Sequence, residues 1–226
     1  MKYIILAGGS YPTDESLGPR CLWEFGGEKI LDRTVRLLWE NSASKLDIYV
    51  CSNDERVIEH CKRQGHHWIK NPYNTFDAAL GTNLHWVDWV LRDWAGPVTY
   101  IFGDVVFTQK AMREIVWYNI GILEPVTFFA SVPPFSSNYI KRWAEPFAFK
   151  VFDQMGFWEA AENVRKWQDE GLYPRVPIAW ELWHAYAHKE PLKDILTFDY
   201  SEVHAINDGT CDVDVPEDLE RIRVNF

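Results

Sequence analysis

The four cysteines, Cys21, Cys51, Cys61 and Cys211, form no CxxC pair. Neither a zinc ribbon nor a dithiol redox motif can be built from them. Free thiols fit a reducing compartment, and the chain is expected in the cytoplasm. No apolar run approaches the ~20 residues of a membrane span, and the stretch after Met1-Lys2 is too short for the apolar core of a signal peptide. Lysine and arginine form no block, and 23 basic residues against 33 acidic ones leave a net charge of −10. Nucleic-acid backbones and anionic membranes are held by clustered cations, so neither is expected as a partner. A nucleotide stays open, because it needs only a few local donors. Walker A, HExxH and Ser-His-Asp or Cys-His nucleophile patterns are all missing, as are repeats and any Pro/Ser/Gly-rich linker. With 226 residues, 47% of them hydrophobic, the chain is expected to form one domain over 1–226 with a substantial core.

Aromatic residues are plentiful. Twelve tryptophans are more than any single motif explains, and they read as core and surface packing.

Apolar periodicity divides the chain into alternating strands and helices. Lys2 to Ala7 is a short buried strand ended by Gly8-Gly9. Ile30 to Leu38 carries a helical stripe, and Asp47 to Cys51 is a second strand. Ser52-Asn53-Asp54-Glu55 caps a helix that runs to about Gln64, with Gly65 as its stop. His67 to Lys70 is a short strand, Asp77 to Trp94 a long helix, and Pro97 to Phe102 a strand ending at Gly103-Asp104. Helix at Lys110 to Tyr118 and strands at Val126 to Val132 and Pro146 to Phe152 follow. Phe157 to Glu170 and Ile178 to His188 read as helices. This alternation predicts a mostly parallel sheet with helices on both faces and ligands beyond the carboxyl ends of its strands. Gly8-Gly9 and Gly103-Asp104 both fall at such ends, so they can converge.

Three motifs carry the chemistry. Leu6-Ala7-Gly8-Gly9 offers bare backbone N–H groups to a phosphate or a base edge, or is a plain tight turn. Asp104 is either a hard oxygen ligand or a cap for the next helix. Asp212-Val213-Asp214 precedes Pro216-Glu217-Asp218; Asp214 is a second such ligand or an N-cap, with Asp212 the lesser candidate. Glu181, His184 and His188 share a helical face, but without HExxH they read as an amphipathic surface.

The order strand, Leu-Ala-Gly-Gly, loop, Pro19-Arg20-Cys21-Leu22, then Glu28-Lys29-Ile30-Leu31 and helix resembles the sugar-phosphate nucleotidylyltransferases. Gly81-Thr82-Asn83-Leu84, Phe102-Gly103-Asp104-Val105 and the closing Asp214-Val215-Pro216-Glu217-Asp218-Leu219 are similar too. That ending also resembles CMP-sugar synthetases and molybdenum-cofactor nucleotidylyltransferases. The resemblance implies a Rossmann-like three-layer α/β/α sandwich of the nucleotide-diphosphosugar transferase (GT-A-like) type. It implies a magnesium-dependent transfer of a nucleoside monophosphate unit from a triphosphate to a small phosphorylated acceptor, with pyrophosphate leaving, as in sugar-nucleotide biosynthesis. CTP is slightly favoured. Asp104 and Asp214 would hold Mg²⁺, with Asp104 catalytic. Arg20, where the family usually has lysine, would be catalytic and grip phosphates. Leu6, Ala7, Gly8 and Gly9 would line the nucleotide, and Thr82 and Asn83 either contact base or ribose or cap a helix.

One departure stands out. The family's loop usually reads Gly-x-Gly-x-Arg, whereas residues 8–18 here hold Asp14 and Glu15 and no base before Arg20. Lys70, Arg142 and Lys150 are the bases left to compensate. Two other readings follow: a glycosyltransferase that uses Asp212-Val213-Asp214 with a nucleotide sugar, and a nucleotide-binding sensor without catalysis.

Overall fold

The computed structural model describes residues 1–7, 17–42, 47–70, 96–119, 121, 124–132, 145–173, 177–194 and 197–225. Gly8, Gly9, Asp14, Glu15, Thr82, Asn83, Arg142 and the helix expected over 77–94 lie outside them.

The strands are β1 (Lys2–Leu6), β2 (Glu24–Phe25), β3 (Glu28–Lys29), β4 (Asp47–Ser52), β5 (His67–Lys70), β6 (Val98–Phe102), β7 (Val105–Val106), β8 (Val126–Ala130), β9 (Pro146–Val151), β10 (His204–Ala205) and β11 (Cys211–Asp212). The helices are α1 (Ile30–Asn41), α2 (Glu55–Gln64), α3 (Gln109–Trp117), α4 (Gln154–Asp169), α5 (Ala179–His188) and α6 (Pro216–Asn225). The longer elements from β1 to α5 within the described residues lie where the periodicity puts them, to within a few residues, and α6 follows the acidic segment at Pro216. The two-residue strands were not foreseen, since so short a segment carries no period.

Seven strands form the central sheet in the order β10-β8-β9-β6-β1-β4-β5. All its pairings are parallel except those of β9, which runs antiparallel to both β6 and β8. Side chains alternate across the pleat and divide the core in two. On one face Ile4, Tyr100, Phe128 and Phe149 pack against Phe157 and Val164 of α4 and Trp180 and Leu182 of α5. On the other, Tyr3, Ile5, Val50 and Ile101 pack against Leu31 and Leu38 of α1, Val57 of α2, and Met112 and Ile115 of α3. Helices thus cover both faces, and the three-layer α/β/α sandwich is established.

A third, smaller cluster ties the end of the chain to its start. Leu219 and Ile222 of α6 and Val213 pack with Phe25, Ile30 and Val106. Local signals set the ends of α2: the Asp54 carboxylate accepts from the Arg56 amide, and Gly65 closes the helix at φ 73°.

Candidate functional site

The site grows from the middle of the sheet. β1 lies between β4 and β6, with Leu6 opposite both Cys51 and Phe102. The next amide on β6, that of Gly103, donates to the Leu6 carbonyl at 3.0 Å. A Cβ on residue 103 would sit 2.8 Å from that oxygen, so glycine is required by close approach and not by backbone angle. Past Leu6, both backbone groups of Ala7 are engaged. Its amide donates to the Cys51 carbonyl at 2.9 Å, and its carbonyl accepts from Ser52 Oγ at 2.7 Å.

Asp104 follows Gly103 directly. Its carbonyl accepts from the Val213 amide at 2.9 Å, and the neighbouring β7 pairs antiparallel with β11, Val105 opposite Asp212. This small ladder carries the acidic segment at the chain's end to the carboxyl end of β6. Arg20 comes from a third direction, on a single 3-10 turn (Arg20–Leu22) after Pro19. The turn is anchored by Cys21, which is buried in the cluster that holds Ala7.

These pieces meet. Arg20 Nη2 lies 2.7 Å from Asp104 Oδ2, and Arg20 Nη1 donates to Asp214 Oδ1 at 2.7 Å. The side chains keep 19%, 26% and 45% exposure for Arg20, Asp104 and Asp214, so the node opens to solvent on the Asp214 side. Burial acts most strongly on the guanidinium and lowers its pKa. Asp104, Asp214 and Asp212 together outweigh it and hold the pKa above the ordinary value. Burial, with Asp104 nearby, pushes the Cys21 thiol pKa up, so this cysteine stays protonated and is no nucleophile.

One alternative open in the sequence is decided by a neighbour. The cap of α3 is Thr108, whose Oγ1 accepts from the Ala111 amide at 3.0 Å, so Asp104 is not needed there. At the start of α6 the buried Asp218 reaches back, its Oδ2 accepting from the amides of Asp214 and Val215 at 3.0 and 3.1 Å. The Asp214 carboxylate accepts from Arg20.

Two oxygens of separate carboxylates converging on one cation are the donor set a divalent metal takes from protein, so Asp104 and Asp214 fit Mg²⁺. A neighbouring group escaped the sequence reading. Glu145, Cys211 and Asp212 hold ligand atoms within 4.8 Å of one another, and the Asp212 amide donates to Glu145 Oε2 at 3.2 Å. Nothing near Glu145 repeats or matches a motif, so no local signal could have found it.

Other residues lie elsewhere. Lys150 cannot compensate for the acidic loop: it is buried, and its Nζ donates to the carbonyls of Ile115, Val116 and Tyr118 at the end of α3. Lys70 pairs with Glu55 on the surface. Glu181 is buried and accepts from the Ile178 amide at 2.9 Å, a capping role. His184 and His188 face Glu190 and Glu202 at 3.8 and 2.8 Å. Trp180 and Trp183 are core residues, whereas Trp39, Trp68 and Trp117 are exposed.

The charged node lies at the carboxyl ends of central strands of an α/β sheet in which one strand is reversed. Among solved structures, the inositol-1-phosphate CTP transferase from T. maritima superposes with a TM-score of 0.58 and 12% identity, covering 98% of this chain and 94% of that one. A candidate glucose-1-phosphate thymidylyltransferase from Bacillus anthracis, in complex with a sucrose, gives a TM-score of 0.63 and 16% identity, covering 99% and 94%. At these identities the likeness establishes the fold. No protein-family model and no curated protein matches the chain. Among the described residues, no helix is long and apolar enough to cross a membrane.

Proposed function

We propose that this chain is a magnesium-dependent nucleotidylyltransferase. It would transfer a nucleoside monophosphate unit from a triphosphate to a small phosphorylated metabolite, a sugar phosphate first among them, and release pyrophosphate. The observation that carries this reading is the meeting of Arg20, Asp104 and Asp214, drawn from blocks up to 194 residues apart, at the carboxyl end of the sheet. Both structural neighbours are named for pyrimidine nucleotides, a CTP transferase and a thymidylyltransferase, which puts a pyrimidine triphosphate, CTP foremost, at the head of the candidates.

In this reading an acceptor phosphate oxygen attacks the α-phosphorus and pyrophosphate departs. Negative charge builds on the phosphate oxygens, and a bound Mg²⁺ would supply positive charge to offset it. Asp104 and Asp214 would hold that ion, and the Arg20 fork would pair with phosphate oxygens. Gly103 lets β6 approach β1 closely enough to set Asp104 beside the nucleotide. Leu6, the last residue of β1, and Ala7 after it would lie under the nucleotide, and Gly8, Gly9, Thr82 and Asn83 remain the sequence's candidates for contacts to it.

The test is pyrophosphate release from CTP, UTP, GTP, ATP and dTTP with Mg²⁺ across a panel of sugar and polyol phosphates. One pair turning over is the expected result, with Asp104→Asn lowering the rate about a hundredfold or more while the melting temperature stays put. Near-normal turnover by that variant removes Asp104 from the chemistry.

One observation favours a second reading. Asp212 joins Asp214 in the field around Arg20, as a DxD pair would in a glycosyltransferase. Release of a nucleoside diphosphate from a nucleotide sugar, with no pyrophosphate from any triphosphate, is its signature.

A further inference from the structure

The same two carboxylates that suit a divalent ion are already occupied by a cation of the chain itself. The Arg20 guanidinium places one nitrogen on Asp104 and the other on Asp214, each at 2.7 Å. A metal bound by both carboxylates needs the space that the fork fills, so the two cations exclude one another. We propose that Arg20 is an internal counter-ion that closes the carboxylate pair to free metal and releases it when a triphosphate takes over the guanidinium.

The physical argument is one of charge and anchoring. Displacing Arg20 from nucleotide-free protein breaks two charge-assisted bonds. It also leaves a partly buried guanidinium close to a dication, and like charges in such a setting repel strongly. The backbone cannot retreat to relieve this, because Cys21 and Pro19 on either side are buried and the Leu22 amide donates to the Pro19 carbonyl at 2.9 Å. The side chain can swing, since its partner Asp214 is 45% exposed. A triphosphate supplies several anionic oxygens, and the guanidinium can exchange carboxylate for phosphate without loss of pairing. Asp104 and Asp214 are then left with two negative charges facing more phosphate, a setting that calls for a divalent ion. Nucleotide and metal therefore bind with positive coupling, and by linkage each strengthens the other by the same factor.

This inference rests on the transferase reading for its purpose, but its test contains no nucleotide. Mn²⁺ is titrated into the wild-type chain, Arg20→Ala and Arg20→Gln, and free Mn²⁺ is followed by electron paramagnetic resonance; thermal melts confirm that each is folded. Removing the internal cation is expected to tighten Mn²⁺ binding about tenfold or more, within the usual range for coupled sites. Arg20→Gln keeps most of the stem and is read if Arg20→Ala does not fold. Adding Asp214→Asn to either variant should cancel the gain, which places the new Mn²⁺ between these carboxylates. Equal Mn²⁺ affinity in wild type and folded variants overturns the proposal and leaves the transferase intact. A gain that survives Asp214→Asn overturns it as well. No Mn²⁺ uptake by any form overturns both the exchange and the metal assignment. A transferase that fails in the pyrophosphate assay while these titrations succeed would refute the activity and not the exchange.

Discussion

Phe128 and Phe149 of the sheet, Phe157 of α4 and Trp180 of α5 are 1% exposed or less, whereas Arg20, Asp104 and Asp214 all keep part of their surface in water. The aromatic layer is locked by ring on ring. Phe128 stacks on Phe149 at 4.3 Å, and Trp180 meets Phe128 and Phe198 edge-on at 4.8 and 4.9 Å. Its contribution scales with the apolar area removed from water and does not depend on any ligand. The charged node works the other way. Part-exposed ion pairs contribute little net stability, because Coulomb attraction is offset by desolvation and screening. What such a node offers is exchange: its partners can be traded for phosphate and metal without loosening the core. One face of the sheet thus makes the fold durable, and the carboxyl ends of its strands stay adjustable.

Trp180→Ala attacks the durable side and should show the largest effect, about 3–5 kcal/mol in urea denaturation, through the cavity left among Phe128, Phe198 and Tyr200. A loss below about 1 kcal/mol would mean that the aromatic layer repacks freely.

Lys150→Met comes next, and it sharpens the comparison because it is a charge buried inside the fold, on the opposite face of the sheet against the end of α3. Burial lowers the pKa of this ammonium to about 8, yet three carbonyls at the end of α3 call for three N–H donors, so it stays charged at neutral pH. Methionine fills the space and strands those acceptors, at a cost of about 2–3 kcal/mol, measured by the same denaturation.

Gly103→Ala tests the junction of the two regions. Its Cβ meets the Leu6 carbonyl at 2.8 Å, backbone against backbone, so β6 must shift. A loss of about 1–2 kcal/mol is expected, together with a fall in turnover, because Asp104 moves with the strand end. Lost stability with turnover intact would separate this glycine from the site.

The smallest effect concerns acid. Burial raises the Asp32 pKa, but hydrogen bonds from His66 and His60, at 3.0 and 2.9 Å, outweigh it and leave the carboxyl below its ordinary value of 3.8. A carboxyl with a depressed folded pKa stabilises the protein above its unfolded value, and that contribution is lost as pH falls through the folded value. Melting temperatures taken from pH 7 to pH 3 should drop less steeply for Asp32→Asn than for wild type at the acid end. Parallel curves would show that this cluster is not a source of acid sensitivity.

Much of this molecule was legible because local signals were strong. The β-branched run at Asp47–Ser52, the Asp54 cap and the Gly65 stop specify β4 and α2 without help from the rest of the chain. Asp104 and Asp214 could be marked as candidate ligands but not told apart from helix caps. For Asp104 the cap is excluded because Thr108, a common residue in an unremarkable place, takes it. Lys150, one of the three bases that could compensate for the loop, is taken out of reach because α3 ends directly over β9 and its carbonyls hold the ammonium, a tertiary fact. Glu145 carried no signal at all, and Ser52, which reads as part of a helix cap, instead ends β4 and donates to the Ala7 carbonyl.

The sequence by itself determined the succession of strands and helices, the glycine at the end of β6, and the kinds of groups on hand: one arginine after a proline and two carboxylates in separate blocks. Periodicity and turn chemistry act over a few residues, so they survive in the linear text. Only the tertiary structure decided that Arg20 closes on both carboxylates at once. That contact spans 194 residues. It exists because β6 lies beside β1 and because β11 pairs with β7 to return the end of the chain to Asp104. Strand order and the short ladder are settled by packing of the whole core, where no local pattern records them.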